Sequence, residues 1–131
     1  MKKILITGSR KYGLCEAMCN LFDTMPHIYE YETASRSNGY QLDTSEGQHK
    51  LAEYYINGNF DVFINNSAIW KFQQVMVAES IFNAMEIAER KGHIINIGST
   101  ADTGVKGRSW RYPTEKKALK AYNRDLTYKA M

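Results

Sequence analysis

The chain has 131 residues, 44% hydrophobic and 24% charged, with a formal net charge of +3. These are the values of an ordinary soluble globular protein, and the length is that of one domain, residues 1–131, able to bury roughly two-thirds of its surface. The apolar run after Met1-Lys2-Lys3, Ile4 to Ile6, is too short for a signal peptide or a membrane span. Cys15 and Cys19 lack the further Cys or His that a metal site needs and support no disulfide framework. A cytoplasmic protein with no metal and no membrane partner is expected.

In chain order, Lys2–Thr7 predicts a short buried strand and Gly8–Gly13 a turn. Leu14–Met25 predicts a helix with Leu14, Met18, Leu21, Phe22 and Met25 along one stripe. Strand, glycine turn and helix in that order aim backbone N–H groups and a helix N-terminus at phosphate, although the same residues also make a plain tight turn. His27–Thr33 predicts a second strand, followed by Ala34-Ser35-Arg36. In a nucleotide-binding βαβ unit an acidic residue there reads a ribose 2′-hydroxyl, whereas an Arg accommodates a 2′-phosphate. Ser35 and Arg36, with Arg10 and Lys11 in the first loop, favour NADP(H) over NAD(H). Glu32 is the competing residue: if it reaches the ribose, the preference reverses.

Tyr40–Asp43 predicts a short third strand, Ser45–Ile56 a helix, and Phe60–Ile64 a fourth strand leading into Asn65-Asn66-Ser67-Ala68. Adjacent Asn residues there are also ordinary turn formers. Val75–Arg90 predicts a long amphipathic helix with Val75, Val77, Ala78, Ile81, Phe82, Met85 and Ala88 apolar, a band broad enough for part of it to face another subunit. His93–Gly98 predicts a fifth strand that delivers Ser99, and a last helix starts near Thr114. Strands alternating with helices predict a doubly wound, Rossmann-like parallel sheet in an α/β/α arrangement, with about five strands.

Open sheets of this kind bind ligands at the carboxyl ends of their strands, which is where Ser99 falls. Tyr112 and Lys116 are four apart and share a helix face. Such a pair is often only a solvated face, but beside Ser99 and a nucleotide it outlines a reductase site. From Lys106 to Met131 eight Lys or Arg stand against Glu115 and Asp125. A phosphate-bearing cofactor and a solvated helix face account for this excess better than nucleic acid, since no nucleic-acid module accompanies it.

Together these segments resemble the short-chain dehydrogenase/reductases over nearly the whole chain. Thr7-Gly8-Ser9-Arg10-Lys11-Tyr12-Gly13-Leu14 is similar to the family's glycine loop, Asp43 to its adenine-holding Asp, and Asn65-Asn66-Ser67-Ala68 to its Asn-Asn-Ala-Gly motif. Ser99 and the Tyr112-xxx-Lys116 pair, 13 residues apart, match its catalytic spacing. The resemblance implies carbonyl–alcohol interconversion on a small substrate, with Tyr112 as general acid and base, Lys116 on the nicotinamide ribose and Ser99 on the substrate oxygen. It implies NADP(H) held by Gly8, Ser9, Arg10, Lys11, Gly13, Leu14, Ser35, Arg36, Asp43, Asn65, Asn66 and Ser67, with Asn65 near the adenine ribose. It also implies a homodimer or homotetramer through the 75–90 and 114–130 helices.

The chain departs from the pattern in several places. Its loop is one residue longer, and Cys15 takes the third glycine position, where its sulfur is expected to crowd the helix N-terminus or the pyrophosphate. Ala68 replaces the last glycine of the Asn motif. No Asn stands early in the 75–90 helix, and the helix between the second and third strands is missing. The sequence stops one helix after Lys116, the pattern of a minimal or C-terminally truncated member. The rival reading is an inactive NADP(H)-binding module or scaffold.

Overall fold

The hydrophobic pattern places β1 (Lys2–Thr7) at the centre of a sheet, because Ile4, Leu5, Ile6 and Thr7 are buried on both of its faces. The structure is a computed structural model that describes residues 1–67, 72–98 and 111–130, with the backbone alone for 111–113 and 128–130. β1 is followed by α1 (Gly13–Asp23), β2 (Tyr29–Ala34), α2 (Ser45–Asn57), β3 (Val62–Asn65), α3 (Gln73–Ile87), β4 (His93–Asn96) and α4 (Arg111–Ala130). The described sheet has four parallel strands in the order β2-β1-β3-β4. The α/β, Rossmann-like class is as the sequence indicates. The strand count is lower.

The difference lies at Tyr40–Asp43, which is not a strand. A short 3-10 turn at Arg36–Asn38 ends at Gly39, whose φ of 100° reverses the chain, and the Tyr40 N–H returns to the Ser35 carbonyl. Thr44 then caps α2 by accepting from the Gly47 N–H at 3.0 Å, while its hydroxyl donates to the Gln41 carbonyl. These local bonds use the backbone groups that a fifth strand would have needed. Leu42 still buries its side chain in the core. α2 therefore carries the crossover from β2 to β3.

Two cores flank the sheet. On one face Leu5, Leu51, Tyr55, Phe60, Phe63, Val77 and Ile81 join β1 and β3 to α2 and α3. Each such side chain contributes roughly 1.5–3 kcal/mol of burial. On the other face Ile4, Ile6 and Ile64 pack against Cys15 and Cys19 of α1. The buried stripe of α1 runs through the cysteines, while Leu14 and Leu21 are 49% and 56% exposed, so the expected Leu14–Leu21 stripe is displaced by about one residue around the helix. On α3, Val77, Ala78, Ile81 and Met85 are consumed by the chain's own core, leaving Phe82 half-buried and Met76 exposed.

Candidate functional site

Strand order reverses between β1 and β3, the position at which doubly wound sheets open a crevice. Thr7 stitches this point together. Its hydroxyl, fully buried, accepts the N–H groups of both Asn66 and Ser67 at 3.0 Å. Gly8 follows with φ of 138°, and a Cβ there would stand 2.9 Å from Asn66 Nδ2 and 3.1 Å from Cys15 Cβ. The space a side chain would take at Gly8 is filled by Cys15, which is itself buried against Ile4, Ile6 and Ile64 of the sheet. Burial pushes the Cys15 thiol up to about 12 and raises that of Cys19, which leaves both as packing groups.

The loop returns through Ser9, whose hydroxyl accepts from the Lys11 N–H at 3.2 Å, and α1 begins at Gly13 with no side chain capping it. Uncapped first-turn N–H groups at a crevice suit an anion. Gly8, Ser9, Gly13, Leu14 and exposed Lys11 are thus brought together at one helix end. Arg10 is not among them. Its guanidinium binds Asp23 at 2.9 Å and Asn20 at 2.8 Å along α1.

At the end of β2, Ser35 bonds to Ser37 and to the Asn38 side chain, and Arg36 is exposed with no described ion pair. Glu32 faces the other way, its carboxylate accepting from the Tyr54 hydroxyl on α2. It lies two residues inside the strand, opposite Leu5, and away from the crevice. Asp43 is exposed in the turn before α2 rather than at a strand end.

Asn65 belongs to the interior. It is fully buried, and its amide donates to the Gln74 carbonyl at 2.7 Å and to Asn96 Oδ1 at 2.8 Å, so it ties β3 to α3 and β4 and does not line the crevice. Asn96 passes the chain of bonds to Asn123 on α4 at 2.8 Å. Lys116 and Leu119 form the buried face of α4, and exposed Asn123, four residues after Leu119, continues the same stripe to Asn96. Lys116 is only 4% exposed, and its ammonium donates to Gln74 Oε1 at 2.7 Å and to the Ile97 carbonyl at 2.9 Å. Burial lowers its pKa, against the opposing effect of Glu115 next to it. Gln74 is the member of this group that sequence reasoning missed. The predicted helix began one residue too late to include it.

Tyr112 falls within α4, one turn before Lys116. Its side chain and Ser99 lie outside the described residues, as does Ala68. A separate groove of about 710 Å³, lined by Met85, Glu86, Arg90, His93, Asn123 and Leu126, sits at the amino ends of the strands, away from this chemistry. No group of described His, Cys, Asp or Glu residues can hold a metal, and no described helix is long and apolar enough to cross a membrane. The groups present suit a dinucleotide: an uncapped helix end, exposed cations at Lys11 and Arg36, and a buried ammonium at Lys116.

No family model and no curated protein matches the sequence. Solved structures do. An acetoin dehydrogenase from Enterobacter cloacae superposes with a TM-score of 0.64 at 14% identity, over 98% of this chain and 70% of that one. An acetoin dehydrogenase from Salmonella typhimurium gives 0.57 at 18% identity, over 91% of this chain and 63% of that one. The chain thus has the fold of these dehydrogenases and spans about two-thirds of their length.

Proposed function

We propose that the chain is an oxidoreductase of the short-chain dehydrogenase/reductase type that prefers NADP(H) and interconverts a carbonyl and an alcohol. The observation that carries this reading is Lys116: a buried ammonium at the carboxyl end of β4, one helical turn after a tyrosine, in a fold shared with two dehydrogenases. A bound nicotinamide supplies or accepts the hydride. In reduction Tyr112 gives its phenolic proton to the substrate oxygen, and in oxidation it takes that proton back. A free phenol titrates near ~10, and a cation held close to it favours the phenolate; Lys116, four residues on in α4, is the candidate for that cation. Ser99 donates a hydrogen bond to the same oxygen and stabilises its developing charge. Arg36 and Ser35 receive the 2′-phosphate, a reading supported by Glu32 being turned away toward Tyr54. The chain assembles as a homodimer or homotetramer through the outer faces of α3 and α4, testable by light scattering at micromolar concentration.

A panel of ketones, aldehydes and quinones, followed by NADPH oxidation, tests the reaction. Tyr112→Phe is expected to lower turnover at least ~100-fold while NADPH affinity stays within a few-fold. Turnover near wild type would refute the acid role. NADPH binding with no turnover on any carbonyl would favour the binding-module reading.

A further inference from the structure

We infer that Gln74 is the positioning residue for Lys116, the side chain through which α3 fixes where the ammonium sits. The inference rests on the proposed reading of Lys116 as the cation of the site. Gln74 is 6% exposed, and both ends of its amide are in use. Its nitrogen donates to the Asn65 carbonyl at 2.6 Å and to the Ile97 carbonyl at 3.0 Å. Carbonyls only accept, so these two bonds fix which end of the amide faces them, and the oxygen is left to point at Lys116 Nζ, 2.7 Å away.

The Ile97 carbonyl also accepts from Lys116 at 2.9 Å, so Gln74, Ile97 and Lys116 close a ring of three hydrogen bonds. A free lysine side chain has four rotatable carbon–carbon bonds and much rotamer freedom. The ring removes that freedom, and it does so with an uncharged acceptor, which holds the ammonium without neutralising it. The Gln74 main chain is itself pinned, its carbonyl accepting from Asn65 Nδ2 at 2.7 Å. A shorter Asn at 74 would not span both the strand carbonyls and Nζ. Glu would set a carboxylate against two carbonyls that need a donor.

The test is ¹⁵N NMR of the lysine ammonium groups, alongside NADPH titration, on wild type, Gln74→Leu and Gln74→Glu. In wild type the Lys116 ammonium protons are expected to exchange slowly with water; fast exchange would overturn the inference. Gln74→Leu removes an acceptor that favours the charged form, so the Lys116 titration moves down and NADPH weakens about tenfold, the scale of one charge-assisted hydrogen bond. Gln74→Glu moves the titration up, because a carboxylate favours the ammonium; Glu115, the other acid beside Lys116, is present in every variant. If Gln74→Leu does not fold, the direction seen in Gln74→Glu decides. A Lys116 titration unmoved in the folded variants would overturn the inference. Lys116 responses as described, with no NADPH binding by wild type, would support Gln74's hold on Lys116 and overturn the proposed function instead.

Discussion

The β1–β2 end of the crevice and the β3–β4–α4 end are held by different kinds of group. At the first, the candidate contacts are backbone N–H groups at the start of α1 and exposed side chains, Lys11 and Arg36. At the second, the polar groups are bonded to one another: buried Asn65, Gln74 and Lys116, with half-buried Asn96. Exposed charges attract and select an anion but are screened and mobile. Buried, mutually bonded groups hold one geometry, and an orphaned member costs far more. The first end is suited to choosing a cofactor, the second to fixing a reacting group. Thr7 joins them, since its hydroxyl at the end of β1 carries the two N–H groups that follow β3.

Breaking that joint is the largest expected effect. Thr7→Val keeps the shape and orphans two N–H groups, which should cost about 2–4 kcal/mol in denaturant unfolding and weaken both cofactors alike. A loss under ~0.5 kcal/mol would mean that the two ends are not coupled through this hydroxyl. Next in size, Arg36→Ala should weaken NADPH about tenfold and leave NADH nearly unchanged, as calorimetric titration of each cofactor would show. Equal losses would remove the distinction between a selecting end and a fixing end.

The smallest effect sharpens the contrast from the other side. Tyr55 is buried like Gln74, yet its hydroxyl has no hydrogen-bond partner among the described residues. Tyr55→Phe should therefore be neutral or stabilise by about 1 kcal/mol, where Gln74→Leu destabilises. Burial pushes the Tyr55 phenol up to about 12 from its ordinary value of 10. The unfolded chain therefore ionises this group first, and its contribution to stability, complete below pH 10, is lost as pH rises toward 12. Thermal melts across that range should fall less steeply for Tyr55→Phe; a slope identical to wild type would show that the phenol is not perturbed.

Much of this architecture is legible in the sequence because its signals are local. Short apolar runs mark β1 and β3, a β-branched run between Gly92 and Gly98 marks β4, and Pro113 in the first turn marks the start of α4. Lys116 was readable from its spacing to Tyr112, though its burial was not. What escaped depends on contacts between distant segments. Tyr40–Asp43 has the composition of a strand, but the bonds of Ser35 and Thr44 take it as a turn. Cys15 in place of a glycine looks like a clash until Gly8 is seen to leave it room. Gln74 carries no signal at all, since a polar residue just ahead of an apolar stripe reads as a helix edge; only the meeting of α3, β4 and α4 gives it a partner.

The central claim is that one dinucleotide engages both ends of the crevice, and residue-resolved ¹H–¹⁵N NMR during NADPH titration tests it most directly. Saturable shifts are expected at Gly8–Leu14, Ser35–Arg36, Asn66–Ser67 and the first turns of α4 together, with a single affinity. Shifts confined to the groove at Glu86–His93, or none at millimolar NADPH, would contradict it.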